Sequence, residues 1–93
     1  MSVYFVVQQE ITDAEALAPY RAMAQLAPNP GKVIAAGLSV NIEGDYHGSR
    51  KVIIEFEDEA AFQTWYDSPE YQTALRVRLS ATHSRSALVP GVG

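Results

Sequence analysis

Two segments of this chain, Val3 to Gln8 (VYFVVQ) and Arg50 to Phe56 (RKVIIEF), are apolar in both phases of a β-strand. Successive side chains on a strand point to opposite faces. Val3, Phe5 and Val7 therefore oppose Tyr4, Val6 and Gln8, while Val52, Ile54 and Phe56 oppose Ile53. A sheet that is apolar on both sides needs cover on both sides. The chain of 93 residues has room for one domain and for little more than one sheet and one layer of helices. Cover for the second face then has to come from outside it.

The remaining segments supply the helix layer. Thr12 and Glu15 form a capping box, and the apolar stripe Ala16, Tyr20, Met23 and Ala27 predicts a helix to Leu26 or Ala27, with a kink at Pro19 favoured over a separate turn from Thr12 to Ala18 and a main helix starting at Pro19. Pro28 to Gly31 (PNPG) ends it. Lys32 to Ile42 reads as a long second strand, with Gly37 marking a bulge or a close backbone approach. Glu43 to Ser49 turns the chain into the third strand, as in a long-looped hairpin. Asp58 and Glu59 open a further helix, and Phe62, Trp65 and Tyr66 share its face. Ser68-Pro69-Glu70 starts another, with Tyr71, Leu75 and Leu79 on the apolar side. Ser86 to Val89 is a short last strand beside Pro90.

The order β-α-β-β-α-β defines a ferredoxin-like α+β fold spanning residues 1–93, a four-stranded antiparallel sheet with helices on one face. The uncovered apolar face is then expected to pack against a second copy, giving a twofold homodimer through the sheet faces.

Charge and composition narrow the function classes. Eleven acidic against seven basic residues leave a formal charge of -4, and no basic stripe offers itself to phosphates. No nucleic-acid partner is expected. The start MSVYFVVQQEI is too short an apolar run, with no basic flank, to be a signal peptide or membrane span, so a cytoplasmic protein is the expectation. There is no cysteine, and neither His47 nor His83 has a partner at metal-ligand spacing. No metal or other cofactor is expected.

The candidate site residues cluster between positions 62 and 78, and each has a structural reading beside the functional one. Phe62 and Trp65 are what a helix packed on a sheet requires, although Trp65 can also wall a pocket. Ser68 is explained by its capping position, and nothing like G-x-S-x-G surrounds it. Glu70 suits the first turn of a helix, or it can accept from Arg50 or Arg78. Tyr66 and Tyr71 are better site candidates, because a buried phenol needs a partner. Arg78 lies two turns after Tyr71 on nearly the same face. It can either snorkel to solvent or clamp a carboxylate. His47, in the turn Asp45 to Gly48, and Glu55, between Ile54 and Phe56, are the candidate bases. A surface histidine and a structural ion pair with Arg50 or Lys51 are the simpler readings of those two.

WYDSPEYQ at Trp65 to Gln72, RKVIIEFED before it and LVPGV at Leu88 to Val92 together resemble the bacterial family known as domain of unknown function 1330, over nearly the whole chain. The resemblance implies a dimeric α/β barrel of ferredoxin-like subunits and a pocket near Tyr20, Trp65, Tyr66, Ser68, Glu70, Tyr71 and Arg78. It implies no reaction. The chain departs from the family where a usual glycine pair in the second strand is Ala36-Gly37, and in carrying Pro19.

The expectation is therefore a protein that binds a small, partly apolar organic molecule between helices and sheet, with Tyr20, Trp65, Tyr66, Glu70, Tyr71 and Arg78 around it. The alternatives are a cofactor-independent isomerase or monooxygenase using His47 or Glu55 as base, and an interaction module with no ligand.

Overall fold

The computed structural model describes residues 1–44 and 50–92. Its elements are β1 (Val3–Ile11), α1 (Ala14–Leu17), α2 (Tyr20–Leu26), β2 (Lys32–Leu38), β3 (Arg50–Phe56), α3 (Glu59–Tyr66), α4 (Pro69–Ala81) and β4 (Thr82–Pro90). The strands form one antiparallel sheet in the order β2-β3-β1-β4. This is the expected ferredoxin-like arrangement.

Register divides the sheet into two faces. Val3, Phe5, Val7 and Gln9 of β1 are buried and lie opposite Phe56, Ile54, Val52 and Arg50 of β3. With Val33 and Ala36 of β2 they form the face under the helices. The core is aromatic. Phe5, Phe56, Phe62, Trp65 and Tyr71 are all buried, and Trp65 and Tyr71 approach to 3.8 Å between ring centroids. The opposite face carries Tyr4, Val6, Ile53 and Glu55, half-buried, and Val89, 45% exposed. No element of the chain's helix layer covers it.

The caps explain where the helices begin. Asp58 Oδ1 accepts from the Ala61 amide at 2.8 Å, and Ser68 Oγ from the Tyr71 amide at 3.1 Å, with Pro69 at the start of α4. The first helix differs from the sequence reading. Asp13 is the cap, accepting from the Ala16 amide, and Pro19 separates two short helices instead of bending one. The proline has no N–H to carry the ladder across, so the chain restarts at Tyr20 with Pro19 as its N-cap residue.

Other boundaries move as well. β1 extends to Ile11 and β4 begins at Thr82, because the two strands pair along their full length. β2 stops at Leu38, beyond which Val40 and Ile42 are over 80% exposed. The irregularity in β2 falls between Val33 and Ala35. Gly37 instead adopts φ 150°, and a Cβ placed there would meet nothing within 4 Å. Leu79, expected on the apolar face of α4, is 55% exposed, and Arg78 is buried in its stead. The face toward the sheet runs through Tyr71, Ala74, Leu75, Arg78 and Ala81, and Leu79 lies one step around the helix from it.

Candidate functional site

A cavity of about 280 Å³ lies between α1, α2 and α4 above and β1, β2 and β3 below. It sits at the small end of ligand pockets, which run about 300–1,000 Å³. The broken first helix helps to make it. Ala14, Leu17, Ala18, Tyr20 and Ala24 line its roof. Val7, Val33, Ala36, Val52 and Ile54 form its floor. Trp65 closes one side, 2% exposed, and its indole N–H donates to the Ala24 carbonyl at 3.2 Å. Trp65 is therefore both core and wall, fixed by the helix it abuts.

The polar lining is unusual for an acidic chain. Arg21, Arg50 and Arg78 border the cavity, and among the described residues no Asp or Glu does. Arg78 is only 3% exposed. Its Nη1 donates to Ser84 Oγ at 2.9 Å, and its guanidinium carbon lies 5.9 Å from the Tyr20 ring centroid. Its Nε has no partner among the described residues. The same is true of Gln9 Oε1, on a side chain that is 6% exposed and also lines the cavity. Gln9 lies directly across from Arg50 on β3 and Ser84 on β4. One row of the sheet, Arg50, Gln9 and Ser84, is thus polar; the neighbouring row runs Val52, Val7 and Ser86, and the next, Ile54, Phe5 and Leu88, is apolar. The cavity combines an apolar floor with three cations at its border.

Tyr20 lines the cavity and Tyr71 stands behind it, their hydroxyls 2.8 Å apart. Tyr71 is completely buried, and that burial, together with the Tyr20 phenol, raises its pKa far above the ordinary tyrosine value. The Arg78 guanidinium opposes the shift with a smaller effect. Tyr71 stays a neutral hydroxyl that orients Tyr20.

The other candidates fall elsewhere. Tyr66 stacks on Phe62 at 5.3 Å and meets Phe5 at 5.9 Å, and it does not border the cavity. Glu70 is exposed in the first turn of α4, also away from the cavity. Ser68 is consumed by capping and by its own bond to the Trp65 carbonyl. Glu55 projects from the opposite face of the sheet, where Oε2 accepts from the Tyr4 hydroxyl at 3.2 Å and helps raise the Tyr4 pKa. His47 lies outside the described residues. Among the described residues no group of three or more His, Cys, Asp or Glu could hold a metal, and no helix is long and apolar enough to cross a membrane.

Gln9 and Arg50 escaped the sequence reading as site residues. The signal for Gln9 was present: it continues the inward phase Val3, Phe5, Val7 with a polar residue. Arg50 follows from the same alternation on β3.

The fold and the cavity define a small ferredoxin-like α+β protein with a cationic pocket between helices and sheet. The family model described as Domain of unknown function (DUF1330) matches residues 2–92, and the chain belongs to that family. No curated protein matches it. Among solved structures it is similar to the RPA0582 protein of unknown function from Rhodopseudomonas palustris. That likeness has a TM-score of 0.82 and 22% identity, over 99% of this chain and 83% of that one. A dimeric ferredoxin-like protein of unknown function from Jannaschia sp. CCS1 matches with a TM-score of 0.76 and 17% identity, over 98% of this chain and 100% of that one. SnoaB, a cofactor-independent oxygenase from Streptomyces nogalater, matches with a TM-score of 0.66 and 20% identity, over 99% and 94% of the two chains. These likenesses establish the fold alone.

Proposed function

We propose that this protein binds a small, partly apolar organic anion in the cavity between helices and sheet, and does so as a homodimer. The observation that carries the reading is Arg78. It is a cation buried to 3% exposure whose Nε has no partner among the described residues, at the border of a cavity that none of those residues lines with a carboxylate. A buried charge is ordinarily paired, and here the natural counter-charge is a ligand's. A carboxylate or enolate would sit on the guanidinium, with Tyr20 beside it, and its apolar body would lie over Val7, Val52 and Ile54 against Trp65. Tyr71 contributes by holding Tyr20. Tyr66 and Glu70 support the helices and do not touch the ligand.

The experiment is a thermal-shift comparison of matched carboxylates and their neutral amides, since a ligand of the native state raises stability by mass action. Carboxylates should raise the melting temperature more than their amides. Equal shifts across the pairs would remove the anion reading.

The dimer reading rests on the outer sheet face, where Val6, Ile53 and Val89 stand free of any covering helix, and on the description of structural neighbours as dimeric. Sedimentation at micromolar concentration tests it, and a monomer would refute it.

A cofactor-independent enzyme is the second reading. The oxygenase neighbour is a fold analogy for it, and an arginine in an apolar cavity suits a developing enolate. Proton abstraction needs a base, however, and among the described residues the cavity lining holds no carboxylate or histidine; His47 lies outside them. Binding is the better-supported function.

A further inference from the structure

The sheet edge at β2 is apolar and bare. From Lys32 to Ile42 (KVIAAGLSVNI) the chain holds one charge, at its start. Every residue of β2 except Gly37 is exposed, with Ile34 at 47% and Leu38 at 78%. The segment beyond the strand continues the alternation of apolar and polar side chains. Val40 is 81% and Ile42 84% exposed. Between them the polar residues are tied to their own chain: Ser39 Oγ accepts from Lys51 Nζ at 2.9 Å, and Asn41 Nδ2 donates to the Gly44 carbonyl at 2.6 Å. β2 lies at one margin of the order β2-β3-β1-β4, so among the described residues no strand pairs with its outer edge. A long apolar edge is a template for pairing, and soluble proteins blunt it or cover it. Here Lys32 and the irregularity between Val33 and Ala35 blunt only the start of the strand. Leu38, Val40 and Ile42 lie beyond both.

The area of the sheet points to what covers them. Four strands about 4.8 Å apart, with about seven residues each at about 3.4 Å, present a face of roughly 450 Å². Two such faces packed together bury about 900 Å², short of the about 1,200–2,000 Å² of stable, specific interfaces. An extended arm of five residues, about 17 Å long and about 10 Å wide with its side chains, adds roughly 170 Å² on each side of its contact. An arm given and an arm received by each copy bring the total to roughly 1,600 Å², the standard size.

We infer that Leu38 to Ile42 is an intersubunit arm: each copy of the chain lays Leu38, Val40 and Ile42 on a second copy and receives that copy's arm in return. The inference rests on the homodimer reading and adds the part of the interface that lies outside the sheet face. Twofold symmetry makes the exchange reciprocal, so every apolar contact occurs twice. The segment from Leu38 to Ile42 carries no charge. That suits an apolar protein surface and gives no purchase on anionic lipid or nucleic acid, whose recognition needs cations.

The chain has no cysteine, so Val40→Cys supplies a single thiol on the arm. Leu26→Cys, on α2 and 79% exposed, supplies the control. Maleimide labelling of each is followed across a dilution series whose dimer fraction is measured by sedimentation. Where dimer predominates, Val40→Cys should label at least about tenfold more slowly than Leu26→Cys, and the two should label alike once the dimer has dissociated. If dilution does not separate the subunits, Ile53→Lys supplies the dissociated state. In parallel, Val40→Asp with Ile42→Asp should raise the dimer dissociation constant at least about a hundredfold, because each interface would bury four unpaired carboxylates. Far-ultraviolet dichroism should not change, since both positions are exposed within the subunit. A wild type that is monomeric at micromolar concentration would overturn the arm and the homodimer reading together. A wild-type dimer in which the two thiols label alike, or whose dissociation constant the aspartates leave unchanged, would overturn the arm and leave the sheet-face dimer standing. Protection that persists in the monomer would put the segment on its own subunit, and protection gained only with neutral lipid vesicles would put it on a membrane. Either result would overturn the inference.

Discussion

Replacing Arg78 by methionine should make the free protein more stable and unable to bind a carboxylate. The variant loses the charge-assisted hydrogen bond from Nη1 to Ser84 Oγ at 2.9 Å, worth about 1.5–3 kcal/mol, and the guanidinium's smaller interaction with the Tyr71 hydroxyl. It also loses the contact with the Tyr20 ring at 5.9 Å, worth about 0.5–2 kcal/mol. Against these stand relief of the unmet Nε, about 1–3 kcal/mol, and of the desolvation of a cation at 3% exposure, an effect of several kcal/mol. Exchanges of buried charges for apolar side chains of similar volume are often stabilising by about 1–4 kcal/mol, and Arg78→Met should lie near the lower half of that range. For a domain of this size each kcal/mol moves the melting temperature by about 4–8 °C. Urea denaturation without ligand should show the variant ahead. With a bound carboxylate at a hundredfold its dissociation constant, wild type alone should gain about 2.7 kcal/mol, closing or reversing the gap. A variant destabilised by more than about 1 kcal/mol without ligand would refute the argument. Arg78 would then be a structural residue, and the cavity would lose its counter-charge rationale.

Other outcomes test other parts of the structure. Tyr71 has its pKa raised in the folded state, so its contribution is fully present below the unfolded value of about 10 and is lost as pH rises above it toward the folded value. Stability measured from pH 8 to pH 11.5 should fall above about pH 10, and Tyr71→Phe should fall less steeply; identical slopes would show that the buried phenol does not govern alkaline unfolding. Ile53→Lys, in the middle of the uncovered sheet face, should yield a monomer by light scattering while the far-ultraviolet dichroism of wild type is retained. Gly31→Ala would place a Cβ 2.5 Å from Ile54 Cγ2, 2.6 Å from Phe56 Cζ and 2.8 Å from the Glu55 carbonyl oxygen. It should cost about 1–3 kcal/mol as overpacking, and a neutral result would mean that this corner of the cavity is looser than described.

The local grammar of the chain was legible from its residues. Strand alternation placed Val3, Phe5, Val7, Val52, Ile54 and Phe56 on one face, because the period of two is a property of the backbone. Asp58 and Ser68 capped the helices they were expected to cap, because their side chains bond amides three residues away. The fold followed from the order of those elements. Strand lengths and the break at Pro19 were less legible. The ends of β1 and β4 depend on pairing with each other, and a proline alone does not say whether a helix bends or restarts.

What only the tertiary structure decided is which polar residues meet. Arg78 and Tyr71 share a helical face, so their proximity could be read from spacing, but solvent or pocket could not be chosen for Arg78 without the sheet beneath it. Gln9, Arg50 and Ser84 are far apart along the chain and become one row through strand register. Glu55, between two inward residues, faces away from the cavity for the same reason. The sequence determined, through short-range hydrogen bonding and side-chain alternation, that a two-layer fold would form. Long-range packing decided that a buried arginine and a buried glutamine would border one cavity, each with one polar atom unpartnered among the described residues.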